Sequence, residues 1–148
     1  MIRDGRIGLI DESYRRLTGR RLVQSQGDLP LAFWNAPRAI VAHGTEADPI
    51  FFYGNALALE LFAMSADAFT RLPSRLSAEA MEREERARLL DRVTRDGFID
   101  DYAGIRISAS GQRFGIEQAT VWNIIDAAGA MHGQAATFDR WTMLDRAG

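Results

Sequence analysis

The segment PIFFYGNALALELFAMSADAF, residues 49 to 69, constrains the fold more than any other part of the chain. Ile50 to Tyr53 are β-branched or aromatic and read as a short strand, Gly54 breaks the run, and Asn55 stands directly before an alanine- and leucine-rich helix. An asparagine there accepts a hydrogen bond from an orphan amide of the helix start, so strand and helix are joined without a loop. The helix is read to end near Ala63; Ala66 to Thr70 forms one further turn, closed by Pro73.

Ile7, Ile10, Tyr14 and Leu17 recur at spacings of three and four, which predicts an amphipathic helix over Ile7 to Thr18 ended by Gly19. Gln24 to Pro30 reads as a polar connection with Gly27 and Pro30 as breakers, and Phe33, Trp34 and Pro37 as a segment packed on the body. Ala39 to Ala42 is the first strand and pairs with Ile50 to Tyr53 across the polar turn Gly44 to Pro49. Ala78 to Asp96 is strongly helical, with Ser77 as cap and Gly97 as stop. On it Glu79 and Arg83, Glu82 and Arg86, and Glu84 and Arg88 form acid-to-base pairs on a solvated face, with Met81, Leu89, Leu90 and Val93 as the buried edge. Tyr102 to Ser108, Arg113 to Ile125 and Met131 to Phe138 then make a strand meander joined by turns at 109–111 and 126–129. Two strands, a helical middle and three strands define an α+β fold.

At 148 residues the chain suits a single core, and it reads as residues 1–30, a helix with its connection, followed by a domain over 31–148. No apolar run reaches membrane-spanning length and no signal-like start is present, so a cytoplasmic protein without membrane contact is expected. A net charge of -2 argues against a nucleic-acid surface, although RRLTGRRL over residues 15–22 is locally basic. Every basic residue is arginine, as a GC-rich genome's codon usage would produce. The absence of cysteine excludes thiolate nucleophiles, thiolate metal sites, iron-sulfur clusters and cysteinyl adducts.

The order strand, Asn55, Ala56, Ala58, then Glu60-Leu61-Phe62 and Ser65 resembles the front of PAS sensor domains. HGTEADPIFFYGN, LPSRLSAEAMEREERARLL, GFIDDYAGIRIS and HGQAATF narrow that likeness to the MEKHLA domain, a PAS-related family of bacterial proteins and of the ends of some plant transcription factors. The resemblance runs from about Asp11 to Trp141 and implies a five-stranded antiparallel sheet of order 2-1-5-4-3, helices on one face, and an amino-terminal helix through which such modules dimerise.

Aligning Asp139 with the aspartate that closes the last PAS strand turns Gly133, Ala135 and Thr137 toward the helices, with Glu117, Ala119, Val121 and Asn123 beside them. Small residues there would leave room for a small molecule among Phe52, Phe62, Leu76, Leu90, Glu117, Ala119, Val121 and Thr137; if Gly133, Ala135 and Thr137 faced away, that room would be lost, and the sensing reading drawn from it with it. The alternative is a filled core. The opposite face carries Phe114, Ile116, Trp122 and Phe138, to be covered by the stripe of the first helix, either from the same chain or from a second copy.

Candidate chemistry is sparse. His43, Glu46 and Asp48 are weighed as a metal site against a polar turn in which His43 makes a side-chain hydrogen bond. His43 and His132 are the only histidines, and neither lies on the long helix where haem-binding PAS domains place their ligand. Glu117 is the inward acid, with Arg106 or Arg113 as the ion-pair partner. Asp100 and Asp101 are expected at the surface, and Ser108 and Ser110 beside a turn. The expected function is a non-enzymatic PAS-like sensory or interaction module, a homodimer through its first helix, binding an unidentified small molecule and requiring a separate output protein. The alternatives are an enzyme of ketosteroid-isomerase type with Glu117 or Asp100 as base, and a purely structural dimerisation domain.

Overall fold

Asn55 is fully buried and holds four backbone groups from three parts of the chain. Its Oδ1 accepts from Ala58 N at 3.2 Å and Ile40 N at 3.1 Å, and its Nδ2 donates to Phe33 O at 3.0 Å and Arg38 O at 2.7 Å. The side chain therefore caps helix α3 (Ala56–Phe62), binds strand β1 (Ala39–His43), and fixes the end of helix α2 (Leu29–Trp34). It leaves strand β2 (Phe51–Gly54) in an extended conformation, as the apolar run and the cap together require. The computed structural model describes residues 1–25, 27–78 and 80–146, with residues 80–82 by backbone only.

Helix α1 (Ile7–Thr18) ends at Gly19, whose φ of 72° suits a residue without Cβ. Helix α4 (Ala66–Phe69) is capped by Ser65 Oγ, and a 3-10 turn over Ser74–Ser77 leads to helix α5 (Ala80–Asp96). Strands β3 (Phe98–Ile107), β4 (Gln112–Ile125) and β5 (Met131–Phe138) complete the order β2-β1-β5-β4-β3, every pair antiparallel. This is the order that the resemblance implied. Beyond it, strand β6 (Arg140–Arg146) continues β5 past Asp139 and pairs with the first half of β4, a strand that the sequence reading did not assign.

Helices α3, α4 and α5 cover one face of the sheet. Phe51, Phe62 and Phe69 pack there, with Phe51 stacked on Phe69 at 4.3 Å and Phe62 edge-on to Phe114 at 5.2 Å between ring centroids. Helix α1 lies on the opposite face of its own sheet: Ile7, Ile10 and Tyr14 are buried against Ile40, Trp122 and Ile124. Trp122 Nε1 donates to Ile10 O at 3.3 Å, and Ser13 Oγ donates to Ile125 O at 2.8 Å. Of the two covers considered for that face, the chain supplies its own. The boundary drawn at residue 30 thus runs through one shared core cluster.

Several boundaries and faces differ from expectation. Pro30 sits in the first turn of α2, where its missing N–H costs nothing, rather than in a connection; Gln26 of that connection lies outside the described residues. Ser77 donates its hydroxyl back to Ser74 O at 2.7 Å and Ala78 is extended, so the long helix does not start at Ala78. The expectations for Glu79, and for the side chains of Met81 and Glu82, lie outside the described residues. Glu84 and Arg88 do pair, at 3.2 Å.

The strand faces hold the largest corrections. Gln118 has a φ of 51°, and three steps along β4 from Ile116 to Ala119 oppose two along β3 from Gly104 to Tyr102. This bulge reverses the alternation. Ala119, Val121 and Asn123 face the helices as expected, but so do Phe114 and Ile116, while Glu117 is exposed. Along β5 the parity is the reverse of the expected one, since Val121 opposes Ala136 and Asn123 opposes Gln134. Gln134, Ala136 and Phe138 therefore face the helices, and Gly133, Ala135 and Thr137 face the α1 side. The pairing that decides the register is bulk against space: Trp122 opposes Ala135 beneath α1.

Replacing Asn55 by leucine would orphan Arg38 O, Ile40 N and Ala58 N at once and leave Phe33 O with only its 3.3 Å bond from Ala36 N. At about 1–3 kcal/mol per unsatisfied buried group, Asn55→Leu should lower the urea unfolding free energy by at least about 3 kcal/mol; a loss below about 1 kcal/mol would show that the asparagine is not the joint we describe.

Candidate functional site

Between α5 and the sheet lies a cavity of about 50 Å³. Its walls come from β1 (Val41, His43), from β4 (Ile116, Val121), from β5 (Gln134, Ala136, Phe138), from α5 (Arg86, Leu89, Leu90) and from β3 (Tyr102, Arg106). Of the eight residues expected to surround a ligand, Phe62, Leu90 and Val121 line it, and Ala119 packs in the adjoining apolar cluster. The other four are elsewhere. Phe52 lies on the α1 side beneath the Arg6 guanidinium, 3.7 Å from its ring centroid. Leu76 and Glu117 are exposed, and Thr137 donates to Ala39 O at 2.9 Å on the α1 side. The room argued from Gly133, Ala135 and Thr137 is therefore absent; of the three only Ala135 is among the residues lining the cavity, and a sensing role has to rest on the cavity that is there.

The residues that sequence reasoning missed are the polar ones. Arg86, read as part of a solvated charge ladder, is only 9% exposed. Arg106 is equally buried; its Nη2 donates to Tyr102 Oη at 2.8 Å and its Nη1 to Ile105 O at 2.9 Å, both neutral acceptors. Burial, and then the positive charge of Arg106, push the Arg86 pKa down to about 10. His43 donates from Nδ1 to Gly44 O at 3.0 Å, the turn-orienting bond considered for it, which leaves Nε2 as a buried acceptor with no partner. Burial, opposed by the Gly44 bond and aided by Arg86, pushes the His43 pKa down to about 4. Gln134 Nε2 bridges Leu90 O, Thr94 Oγ1 and Asn123 Oδ1, and Asn123 Nδ2 reaches Val93 O, so two amides fasten α5 over the cavity. A signal for Arg86 was available in the i, i+3, i+4 spacing to Leu89 and Leu90, which puts it on the buried stripe.

Gly133 is a second support of this corner. Its φ is 138°, and a Cβ there would collide with His43 O, so only glycine lets β5 pass β1 at that point.

The remaining candidates are accounted for by local bonds. Glu46 Oε1 accepts from Ile50 N at 3.1 Å and Asp48 pairs with Arg75 at 3.1 Å, which is the polar-turn reading of HGTEAD. Asp100 is exposed and pairs with Arg20 at 3.3 Å, Asp101 is exposed, and Arg16 donates to Ile125 O at 2.7 Å and to Asp126 O at 3.2 Å. His132 binds Asp126 at 2.9 Å, while Ser108 and Ser110 share a hydrogen bond of 2.9 Å. Glu117 and Asp100, the bases named for an isomerase-like enzyme, thus both face solvent.

Because the folded chain holds His43 neutral down to about pH 4 while an unfolded chain protonates it near 6.5, unfolding takes up a proton between those values. Stability from this source is complete above about pH 6.5 and is lost as pH falls toward 4, by on the order of 3 kcal/mol. The difference in unfolding free energy between wild type and His43→Gln, in which the carboxylates cancel, should shrink by that amount from pH 7 to 4; a pH-independent difference would contradict the buried neutral ring.

The MEKHLA domain model matches residues 5–143. Homeobox-leucine zipper protein ATHB-14 of Arabidopsis thaliana is 26% identical over 142 residues, covering 91% of this chain and 17% of that protein. Homeobox-leucine zipper protein HOX29 of Oryza sativa subsp. indica is 24% identical over 142 residues, with 91% and 16% covered. The chain thus spans about a sixth of the length of these plant relatives, which lend a bacterial origin no support. Among solved structures, the PAS domain of a Colwellia psychrerythraea protein superposes with a TM-score of 0.61 at 18% identity, covering 73% of this chain and 89% of that one. The light-state dimer of the fungal blue-light photoreceptor Vivid gives 0.64 at 11% identity, covering 91% and 93%. At such identities the likeness establishes a PAS fold.

Proposed function

The chain belongs to the MEKHLA domain family, and from that premise we propose that it is a PAS-like sensory module that takes a small molecule into the cavity under α5. The observation that carries this reading is the convergence of Arg86, Arg106 and the unpartnered His43 Nε2 on one buried space lined largely by apolar side chains. A buried polar atom without a partner is costly, and a guest that donates to His43 Nε2 and accepts from the two guanidinium groups would offset that cost. The space of about 50 Å³ is well under the roughly 300 Å³ of a drug-sized pocket, so the guest is a few heavy atoms and not a flavin. With no cysteine in the chain, a light-driven cysteinyl adduct has no nucleophile.

Strand β4 supplies a route outward. Val121 lines the cavity and Asn123 holds α5, while Trp122 between them packs edge-on against Tyr14 of α1 at 4.8 Å on the other face. A shift of β4 on binding would be felt by α1. The output would then be a separate partner, in keeping with relatives named as homeobox-leucine zipper proteins. No described helix is long and apolar enough to cross a membrane, and a cytoplasmic setting belongs to this reading. The homodimer belongs to it in a narrower form: with its apolar stripe buried at home, α1 would meet a second copy through the side carrying Glu12 and Arg15. Light scattering at working concentration tests that, and a one-chain mass removes it.

A filled-core structural domain is the second reading, favoured by the small size of the space. Native mass spectrometry of protein taken from its own host separates the two. The sensor predicts a retained small mass that is lost from Ala136→Val, which fills the cavity; absence of any such mass, with Ala136→Val neutral or stabilising, favours the filled core.

A further inference from the structure

We propose that the cavity under α5 is a site for a small hydroxylated carboxylate, its anionic end held by Arg86 and Arg106 and its hydroxyl donated to His43 Nε2; this rests on the ligand-binding reading above.

Charge and lone pairs together define what the cavity can hold. Two guanidinium groups, 9% and 8% exposed, approach the same cavity from α5 and β3, near enough for each to raise the cost of the other. Among the described residues no aspartate or glutamate lines that cavity, and neither arginine forms an ion pair. Arg86 makes no hydrogen bond to a described residue, and Arg106 hydrogen-bonds only the neutral oxygens of Ile105 and Tyr102, with its guanidinium 5.3 Å from the Tyr102 ring centroid. A buried, unpaired cation costs several kcal/mol, and a like charge beside it adds to the penalty. The planar fork of a guanidinium matches a carboxylate in two parallel hydrogen bonds, which a chloride or a single water cannot reproduce.

His43 adds a requirement of opposite sense. Since its Nδ1–H is committed to Gly44 O, Nε2 offers a lone pair and calls for a donor, which a simple carboxylate lacks and a hydroxyl provides. Gln134 is spent on α5 and Ser77 on Ser74 O, so neither answers the histidine. A volume of about 50 Å³ limits the molecule to a few heavy atoms, the size of glycolate.

Thermal unfolding of the full chain in low-salt buffer, with glycolate, acetate or glycolamide added, tests this. Glycolate should raise the midpoint by several degrees, acetate less for want of the hydroxyl, and the uncharged glycolamide not at all. Arg86→Met, which removes the like-charge strain, should raise the midpoint without ligand and weaken glycolate at least about tenfold, the worth of a charge-assisted bond; Arg106→Met should weaken glycolate similarly. Glycolamide acting as well as glycolate, or Arg86→Met lowering the midpoint with the glycolate response intact, would overturn the anion site. A neutral molecule retained from the host and lost from Ala136→Val would overturn it while leaving the sensory reading standing. No response to any of the three, with no retained mass, would remove both.

Discussion

The fold depends on one buried amide. Asn55 uses both lone-pair directions of its oxygen and both protons of its nitrogen on backbone groups, three of which would otherwise be orphaned inside the core while Phe33 O would keep only its bond from Ala36 N. No other side chain of its size offers two donors and two acceptors in a plane. Because its four partners belong to α2, β1 and α3 and to the chain between them, the hinge between the sheet and its helical cover has a single geometry. Phe51 then lies under Phe69, Phe62 against Phe114, and α5 must cross the far half of the sheet.

The sheet is a partition with two unlike sides. Toward α1 the contacts are apolar and bulky, with Trp122 set into the space that Ala135 leaves. Toward α5 apolar and polar side chains are mixed, with Asn123 and Gln134 under the helix and Arg86 and Arg106 beside the aromatic cluster, Arg106 directly opposite Phe114. A helix held by amide bonds and a small apolar set can be loosened at lower cost than one held by a full apolar stripe. The element most suited to respond to a guest is thus the one that roofs the cavity, and β4 carries side chains to both sides.

How much of this was legible in the sequence varied with the kind of signal. The strand, Asn55 and helix join is local chemistry and was read correctly down to the cap, as was α1 with its Gly19 stop. Sheet order followed from the family resemblance. Face assignment failed where it hung on uninterrupted alternation: a residue in the left-handed region, Gln118, carries no mark such as glycine would, and one such residue exchanged inside for outside along half of β4. On β5 the anchor at Asp139 misplaced the parity by one residue, which moved Thr137 and Phe138 to the wrong sides. Arg86 was hidden by its company, because nine other residues of α5 are charged and a buried arginine in such a run looks like a solvated one. Strand β6 escaped because Arg140 to Arg146 is mostly exposed and lacks a clear two-residue period.

A crystal soaked in bromide offers the most direct view of the central claim, since a monatomic anion reports the field of the two guanidinium groups by its anomalous signal. The account predicts a peak inside the cavity, within hydrogen-bonding reach of both Arg86 and Arg106. A cavity without bromide, in which either arginine is seen paired with a carboxylate of the chain, would contradict it.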